Sequence, residues 1–502
     1  YDTTQPTEFA TAEPIRTYGN SNLSYLPGEI PDSLRQSSGW ANFSKSTNLS
    51  ARQYYARTFL NLNTIWYKQM GGQHTFKFGA RYENITNEMD NGAQYPTFTY
   101  YWNTAYNTSD GRTLRGKYGY WRQRQITTKG EASSNNWSLW VQDSWSIGSR
   151  LTVNAGVRTE NEVVPSYSGG AGIEYGFSDK FAPRLGFAYD VNGDGKWKAY
   201  GSFGWFYDVM KLSLPISSFG GDKWIDYFYA LDTYDIYAMK CDPANNGLAG
   251  NCSPGTLFES YDYRFNSSVP DPRLAEYFGG QPTNTIDAKN PYKTDELTFG
   301  LDHELTPTIS VGARYVHKRL LYAIEDVGVL LPSSPSNPGG IEVYFIANPG
   351  FGVTQVLLPD YPDYKTPKPK RDYDSVEFRL RKRLANNWSL NASYTWSRLY
   401  GNYSGLASSD EGGRTDPNVS RYFDAPYMSW TARAGSPDER VNDGALYTDR
   451  PHVGKVQATY DFNWGTSLGL NALFQSGVPV GALVGWQGYP VFIETRDNLG
   501  RT

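Results

Sequence analysis

The chain holds 502 residues, 39% of them hydrophobic, and sets 47 Lys and Arg against 51 Asp and Glu for a net charge of −4. Mixed charge of that kind argues against a nucleic-acid partner, and a mean hydropathy of −0.59 leaves no run apolar enough for a membrane helix. Strands that cross a membrane need only one apolar face, so that class stays open.

No basic-then-apolar leader opens the chain at Tyr1, so a targeting segment is expected to be absent or already removed. Residues 1–50 read as an N-terminal barrel segment with little pattern. From there a period-2 alternation recurs. It first appears over 74–84, where Phe76, Phe78, Ala80 and Tyr82 share one parity. It is clearest in "RLTVNAGVRTE" (150–160): Leu151, Val153, Ala155 and Val157 lie on one face, Thr152, Asn154, Gly156 and Arg158 on the other. Further copies occupy 181–190, 297–305, 376–384, 388–396 and 468–474.

The connections carry more information than the strands. Short turns stand at "GG" (71–72), "GSR" (148–150), "VNGDGK" (191–196), "TPT" (306–308), "ANN" (385–387) and "NWGT" (463–466). Between the hairpins the links are mostly long, about 85–135, 208–292, 323–372 and 400–450. Short turns therefore gather at one end and long loops at the other, the asymmetry of an outer-membrane barrel. On the apolar parity of seven strands (151–157, 181–189, 197–207, 297–305, 309–315, 376–384, 388–396) only His303 and Lys382 are ionisable. The opposite parity carries Arg184, Lys198, Asp302, Glu304, Arg314, Glu377, Arg379, Arg381 and Arg383. The expectation is that the first parity touches lipid and the second faces water inside a barrel. Trp145, Tyr189, Trp197, Trp388 and Trp464 near the short turns fit an interfacial girdle.

"DVNGDG" (190–195) resembles the start of a calcium loop, but position twelve would be Gly201, so it reads as a turn. His74, His303, His317 and His452 match no metal spacing, and no nucleophile, zinc or phosphate-loop motif occurs. No enzyme activity, cofactor or metal is expected. Cys241 and Cys252 in "CDPANNGLAGNC" read as a disulfide. Two loops offer ligand contacts. In 220–241 Trp224, Tyr227, Phe228, Tyr229, Tyr234 and Tyr237 interleave with Asp222, Asp226, Asp232 and Asp235. Aromatics and carboxylates together can grip a ligand or pack a small core of their own, and the two readings weigh equally. In 408–430 Asp410, Glu411, Arg414, Asp416, Arg421 and Asp424 can contact a ligand or bridge loop to loop, the second reading being slightly favoured.

"GGQHTFKFGARYE" (71–83), "WVQDSW" (140–145), "FAPRLGFAYDVNGDGKWKAYGSFGWFYD" (181–208) and "NPYKTDELTFGLDHEL" (290–305) resemble strands of TonB-dependent outer-membrane receptors. "NYSGLASSDEGGRTDPNVSRYFDAPYMSW" (402–430), "TDRPH" (448–452), "WGTSLGL" (464–470) and "SGVPV" (476–480) are similar to the Oar-like branch. The resemblance runs from about residue 50 to the end. It implies an all-β, antiparallel transmembrane barrel over 51–502, part of a barrel of about 22 strands with a plugged lumen. It further implies outer-membrane lipid around the chain, energy from TonB, ExbB and ExbD, and uptake of an unspecified substrate. The plug, and the small domain that precedes it in this branch, are not visible in this sequence. The chain is accordingly expected to be a portion of a longer protein. The alternative is a barrel that serves adhesion or assembly with outer-membrane partner proteins.

Overall fold

A computed structural model describes residues 15–501 apart from 39–47, 211–218, 242–251, 263–269, 332–340, 356–367, 406–442, 493–499 and shorter gaps. Twelve strands run up and down in chain order: β1 (Asn48–Gln69), β2 (Gln73–Ala93), β3 (Gly119–Ile147), β4 (Leu151–Glu160), β5 (Ala182–Asp190), β6 (Trp197–Tyr207), β7 (Lys293–Thr306), β8 (Ile309–Tyr322), β9 (Arg371–Ala385), β10 (Trp388–Gly401), β11 (His452–Asp461) and β12 (Ser467–Gln475). Each pairs antiparallel with the next. Among the described residues β1 and β12 pair on one side only.

All six expected short turns join consecutive strands. Their chemistry is local. Ala385 pairs with Trp388, and the two residues between, Asn386 and Asn387, take φ of 53° and 68°. A two-residue hairpin of matching twist requires positive φ at both positions, which Asn tolerates. In the 191–196 turn the Asp190 carboxylate accepts from Gly193 N at 3.0 Å and Gly195 N at 2.9 Å. Its oxygens close a turn, as the sequence reading expects.

The alternation becomes two faces. Register sets Val153 beside Phe187, Leu185 beside Phe203, Phe203 beside Leu297, Phe299 beside Tyr315, and Phe378 between Ala313 and Tyr394. These side chains are not buried: Leu185 is 58% exposed, and Phe299 and Phe378 are each 53% exposed. An apolar surface continuous across so many strands calls for non-aqueous surroundings.

The three hydrophobic cores lie at the long-loop end instead. One contains Tyr18, Phe98, Tyr100, Trp102, Trp121, Tyr229 and Leu231. A second gathers Leu274, Leu320, Val327, Val343, Phe345 and Tyr403, and a third Val164, Ile173, Tyr175, Phe219, Ile324 and Ile346. Strands β1, β2 and β3 run 22, 21 and 29 residues, where about 9–11 suffice to span a bilayer. Sequence reading placed residues 85–135 in a loop. In the structure Ile85–Gly92 of β2 continues the ladder against β3. Stretches 84–91 and 128–136 are polar apart from Ile85, Met89 and Ala132, so no clear hydropathy alternation announced them.

Candidate functional site

Above the twelve strands, residues 119–126 of β3 carry a second sheet, here termed the crown. Thr97–Trp102 pairs on one side and Trp224–Leu231 on the other. Ile15–Tyr18 adds in parallel to the first, and Leu257–Asp262 flanks the second. Phe98, Tyr100, Trp102, Trp121, Tyr229 and Leu231 point to one face and close a core with Tyr18, Ile30, Leu34, Tyr118 and Ile236. Burial, the dominant cause, raises the Tyr18 phenol to about 12 and also raises that of Tyr100, so both stay hydrogen-bond donors. The opposite face is half-buried and aromatic, with Tyr101 on Tyr120 and Tyr106 on Phe228, each pair at 4.3 Å between centroids.

This arrangement divides the aromatic–acidic run at 220–241. Tyr229 is buried and Tyr227 packs against the same core. Asp226 is buried, and Arg124 grips it from Nε and Nη2, each at 2.7 Å. Those residues build the crown, as the self-packing reading expects. Asp232, Tyr234 and Asp235 remain at its surface. Asp232 accepts from Lys117 N at 2.9 Å, and Tyr234 meets the Tyr118 ring edge-on at 5.9 Å. Trp224 lies in the strand, its side chain outside the described residues, as is Asp222. Asp410, Glu411, Arg414, Asp416, Arg421 and Asp424 also fall outside them. Cys241 and Cys252 are direct register partners in two short antiparallel strands, and their side chains lie outside the described residues.

At the outer ends of β4 and β6, Lys180 is fully buried between two carboxylates. Its Nζ stands 2.8 Å from Glu160 and 2.9 Å from Glu162, and donates to the Asp208 carbonyl at 3.1 Å. Glu162 also accepts from Met210 N at 2.6 Å. Burial raises the Glu162 carboxyl above its ordinary range, and Lys180 offsets this only in part. Burial also opposes the Lys180 charge, yet the two carboxylates keep its ammonium above the usual lysine range. Sequence reasoning missed this cluster, because nothing in "YGFSDKFAPR" marks Lys180 as buried.

The charged face of the strands is an ordered network rather than scattered polarity. Arg314 bonds Glu377 at 2.7 Å, and Arg379 bonds Asp302 at 2.8 Å and the Tyr200 hydroxyl at 2.7 Å. Lys318 bonds Glu296 at 2.7 Å, and Glu83 holds both Arg57 and Arg81. Glycine makes room for it. A Cβ on Gly300 would occupy the Tyr200 ring, and one on Gly312 would meet the Asp302 carboxylate. Beside this network a recess of about 470 Å³ is lined by Trp140, Asn154, Arg158, Arg184, Tyr200 and Ser202. Arg381, Arg383 and Lys455 share the face and make no ion pair among the described residues.

The apolar face has a few polar groups close to the short turns. Lys382 donates to three carbonyls, Ala385 at 2.7 Å, Trp388 at 2.8 Å and Arg383 at 3.3 Å, and lies 4.0 Å over the Trp388 ring. His303 stacks on Trp197 at 3.8 Å. These are the two residues singled out by parity. The structure adds a third site: His74 and Asp143, register neighbours of Trp145 and Phe76, bond each other at 2.7 Å. The signal was available, since Asp143 interrupts the apolar parity of Trp137, Leu139, Val141 and Trp145.

Comparison with known proteins agrees with this geometry. A family model described as an outer membrane beta barrel domain matches residues 4–178 and 166–493. The TonB-dependent transporter Oar of Myxococcus xanthus is 30% identical over 373 residues, 71% of this chain and 31% of that protein. The chain thus spans about a third of the length of that curated relative. Among solved structures, the outer membrane transporter YddB from Escherichia coli aligns with a TM-score of 0.48 at 11% identity, over 89% of this chain and 46% of that one. The FrpB iron transporter from Neisseria meningitidis aligns with a TM-score of 0.42 at 8% identity, over 86% and 45%.

Proposed function

The chain belongs to the outer membrane beta barrel domain family and resides in the bacterial outer membrane; from that premise we propose that it forms the wall and external loops of a TonB-dependent importer. Its apolar face meets lipid, its short turns face the periplasm and its long loops stand outside the cell. The observation that carries the transport reading is the 30% identity to a TonB-dependent transporter, sustained over 71% of the chain. In this reading the substrate is one too large or too scarce for porins. The loops at 208–292 and 400–450 receive it, and the charged face lines its path. Exposed Asp232, Tyr234 and Asp235 are the crown's proposed contacts, with Asp410, Glu411, Arg414, Arg421 and Asp424 as a second set. Tyr227, Tyr229 and Trp224 support or flank the first. No covalent chemistry enters.

The test uses the full-length protein in its native cells. Importers touch TonB, so photo-crosslinking from the periplasmic side is expected to capture TonB, and cargo accumulation is expected to stop when TonB is deleted. A protein that never cross-links and whose cellular role survives the deletion is instead an adhesion or assembly scaffold. A second, smaller proposal is that Cys241 and Cys252 form a disulfide, supported by their direct pairing in register. Under non-reducing conditions both should resist thiol labelling, and ready labelling removes the bond from the account.

A further inference from the structure

The polar face of the wall uses its side chains in two different ways. From β7 to β10 Arg314, Arg379 and Lys318 are committed to Glu377, Asp302 and Glu296. From β3 to β6 the side chains of Gln142, Asn154, Arg184 and Ser202 make no hydrogen bond or ion pair among the described residues. These four line the recess of about 470 Å³ together with Trp140 and Tyr200, a volume that suits a small-ligand site. Glycine shapes it. Gly79 and Gly300 are covered by the Trp140 and Tyr200 rings, which fixes both rings in place. Gly186 is left open: a Cβ there would meet the Gly201 carbonyl at 3.3 Å and the Ser202 Cβ at 3.5 Å. Register sets Gly186 between Asn154 and Ser202, and Gly156 beside Arg184, so each of these glycines leaves a gap next to a polar side chain.

The charge beside the recess is positive. On the lumen parity of β3 (138–146), β4, β5 and β6 the charged side chains are Arg158, Glu160, Arg184, Asp190 and Lys198. Glu160 is taken by Arg158 and Lys180, and the Asp190 carboxylate by the turn amides of Gly193 and Gly195. No carboxylate lines the recess itself. The Arg184 guanidinium rests on the Phe206 ring at 4.5 Å. A cation stacked on a ring keeps N–H groups free for an anion, and a guanidinium does so in the fork geometry that suits a carboxylate. Trp140 adds a flat apolar wall, and Gln142 and Asn154 each bring both a donor and an acceptor.

We propose that this recess binds a carboxylated sugar residue of the cargo, with Arg184 holding the carboxylate, Gln142, Asn154 and Ser202 the hydroxyls, and Trp140 the apolar face of the sugar ring. A neutral sugar would leave the Arg184 cation unmatched, and an inorganic anion would leave the amides and the indole unused. Arg158 and Arg184 each stand two residues from the outer ends of β4 and β5, on the side from which cargo enters. The proposal rests on the importer reading and deepens it by naming a chemical class of cargo.

The experiment is to purify the full-length protein from its native membrane in mild detergent and titrate it, without TonB, with glucuronate, glucose and inorganic phosphate, reading binding by calorimetry. Glucuronate is expected to bind at least about tenfold more tightly than glucose or phosphate, the effect of one hydrogen-bonded charge. Arg184→Gln is expected to weaken glucuronate about tenfold and to leave glucose unchanged, which removes the preference. Gly186→Val, which fills the gap without altering charge, is expected to weaken both sugars. Lys196→Gln, at a periplasmic turn, should weaken neither. Should Gly186→Val fail to give a folded, heat-modifiable barrel, Arg184→Gln alone decides. Glucuronate that binds no better than glucose, is matched by phosphate, or is unmoved by Arg184→Gln overturns the proposal. Failure of the titration beside intact TonB-dependent accumulation strikes the recess alone. Glucuronate binding in a protein whose cellular role survives loss of TonB keeps the site and strikes the importer reading.

Discussion

Arginine in place of Leu301 is expected to prevent efficient barrel assembly, while arginine at Thr298 on the same strand leaves it close to wild type. Leu301 sits midway along the apolar run from Leu297 to Leu305 of β7, between Ala199 and Ala313 on the neighbouring strands. A charged arginine at mid-bilayer costs about 2–4 kcal/mol in a barrel of this kind, and the lost apolar burial adds about 1.5–3 kcal/mol. Thr298 points the other way, beside Ser202 and Val316, where water and counter-charges are at hand. Urea unfolding of the two variants in lipid vesicles measures the difference directly. Equal destabilisation would mean that the faces have been assigned the wrong way round.

Lys180→Met should loosen the loop over 162–180 more than any other single change there. The side chain is fully buried and neutralises two carboxylates at 2.8 and 2.9 Å. Removing one partner of a buried ionic cluster leaves charge without compensation, at a cost of about 3–5 kcal/mol. The effect is local. Hydrogen exchange over 162–180 and around Met210 should accelerate, and protease should cut the loop, while the membrane strands keep their protection. Adding Glu162→Gln should restore part of the loss, because one of the stranded charges goes with it. If exchange over 162–180 stays slow in Lys180→Met, the cluster does not hold the loop.

The twelve strands were legible because membrane burial imposes a rule on each residue separately: Leu151, Val153 and Val157 need lipid, and Arg158 cannot have it. The short turns were legible for a similar reason, since "ANN" and "NGDG" carry their backbone preference in their own side chains. The crown follows no such local rule. In "WIDYFYAL" (224–231) Tyr229 and Leu231 enter the core while Phe228 joins an aromatic face on the other side, so both parities look alike. The parallel pairing of Ile15–Tyr18 with Thr97–Tyr100 is set by partners some eighty positions away and leaves no mark near either segment. Buried Lys180 is hidden in the same way, because its partners Glu160 and Glu162 define the site only after the loop has returned.

That crown also dictates an order in time. Its core needs Tyr18, Trp102, Trp121 and Leu231 in one place, and the Arg16 guanidinium reaches the Ile236 carbonyl across 220 positions of chain. Contacts so distant in sequence repay the entropy of loop closure only after all the intervening chain has been brought in. Here the intervening chain includes six membrane strands, β1 to β6, and the crown segments must each be carried through the bilayer before they can meet. The crown is thus the last part of this region to form, and it forms on the far side. A molecule stalled during insertion has wall but no crown, and its exposed outer segments are unprotected until the segments around Arg16 and Ile236 find one another.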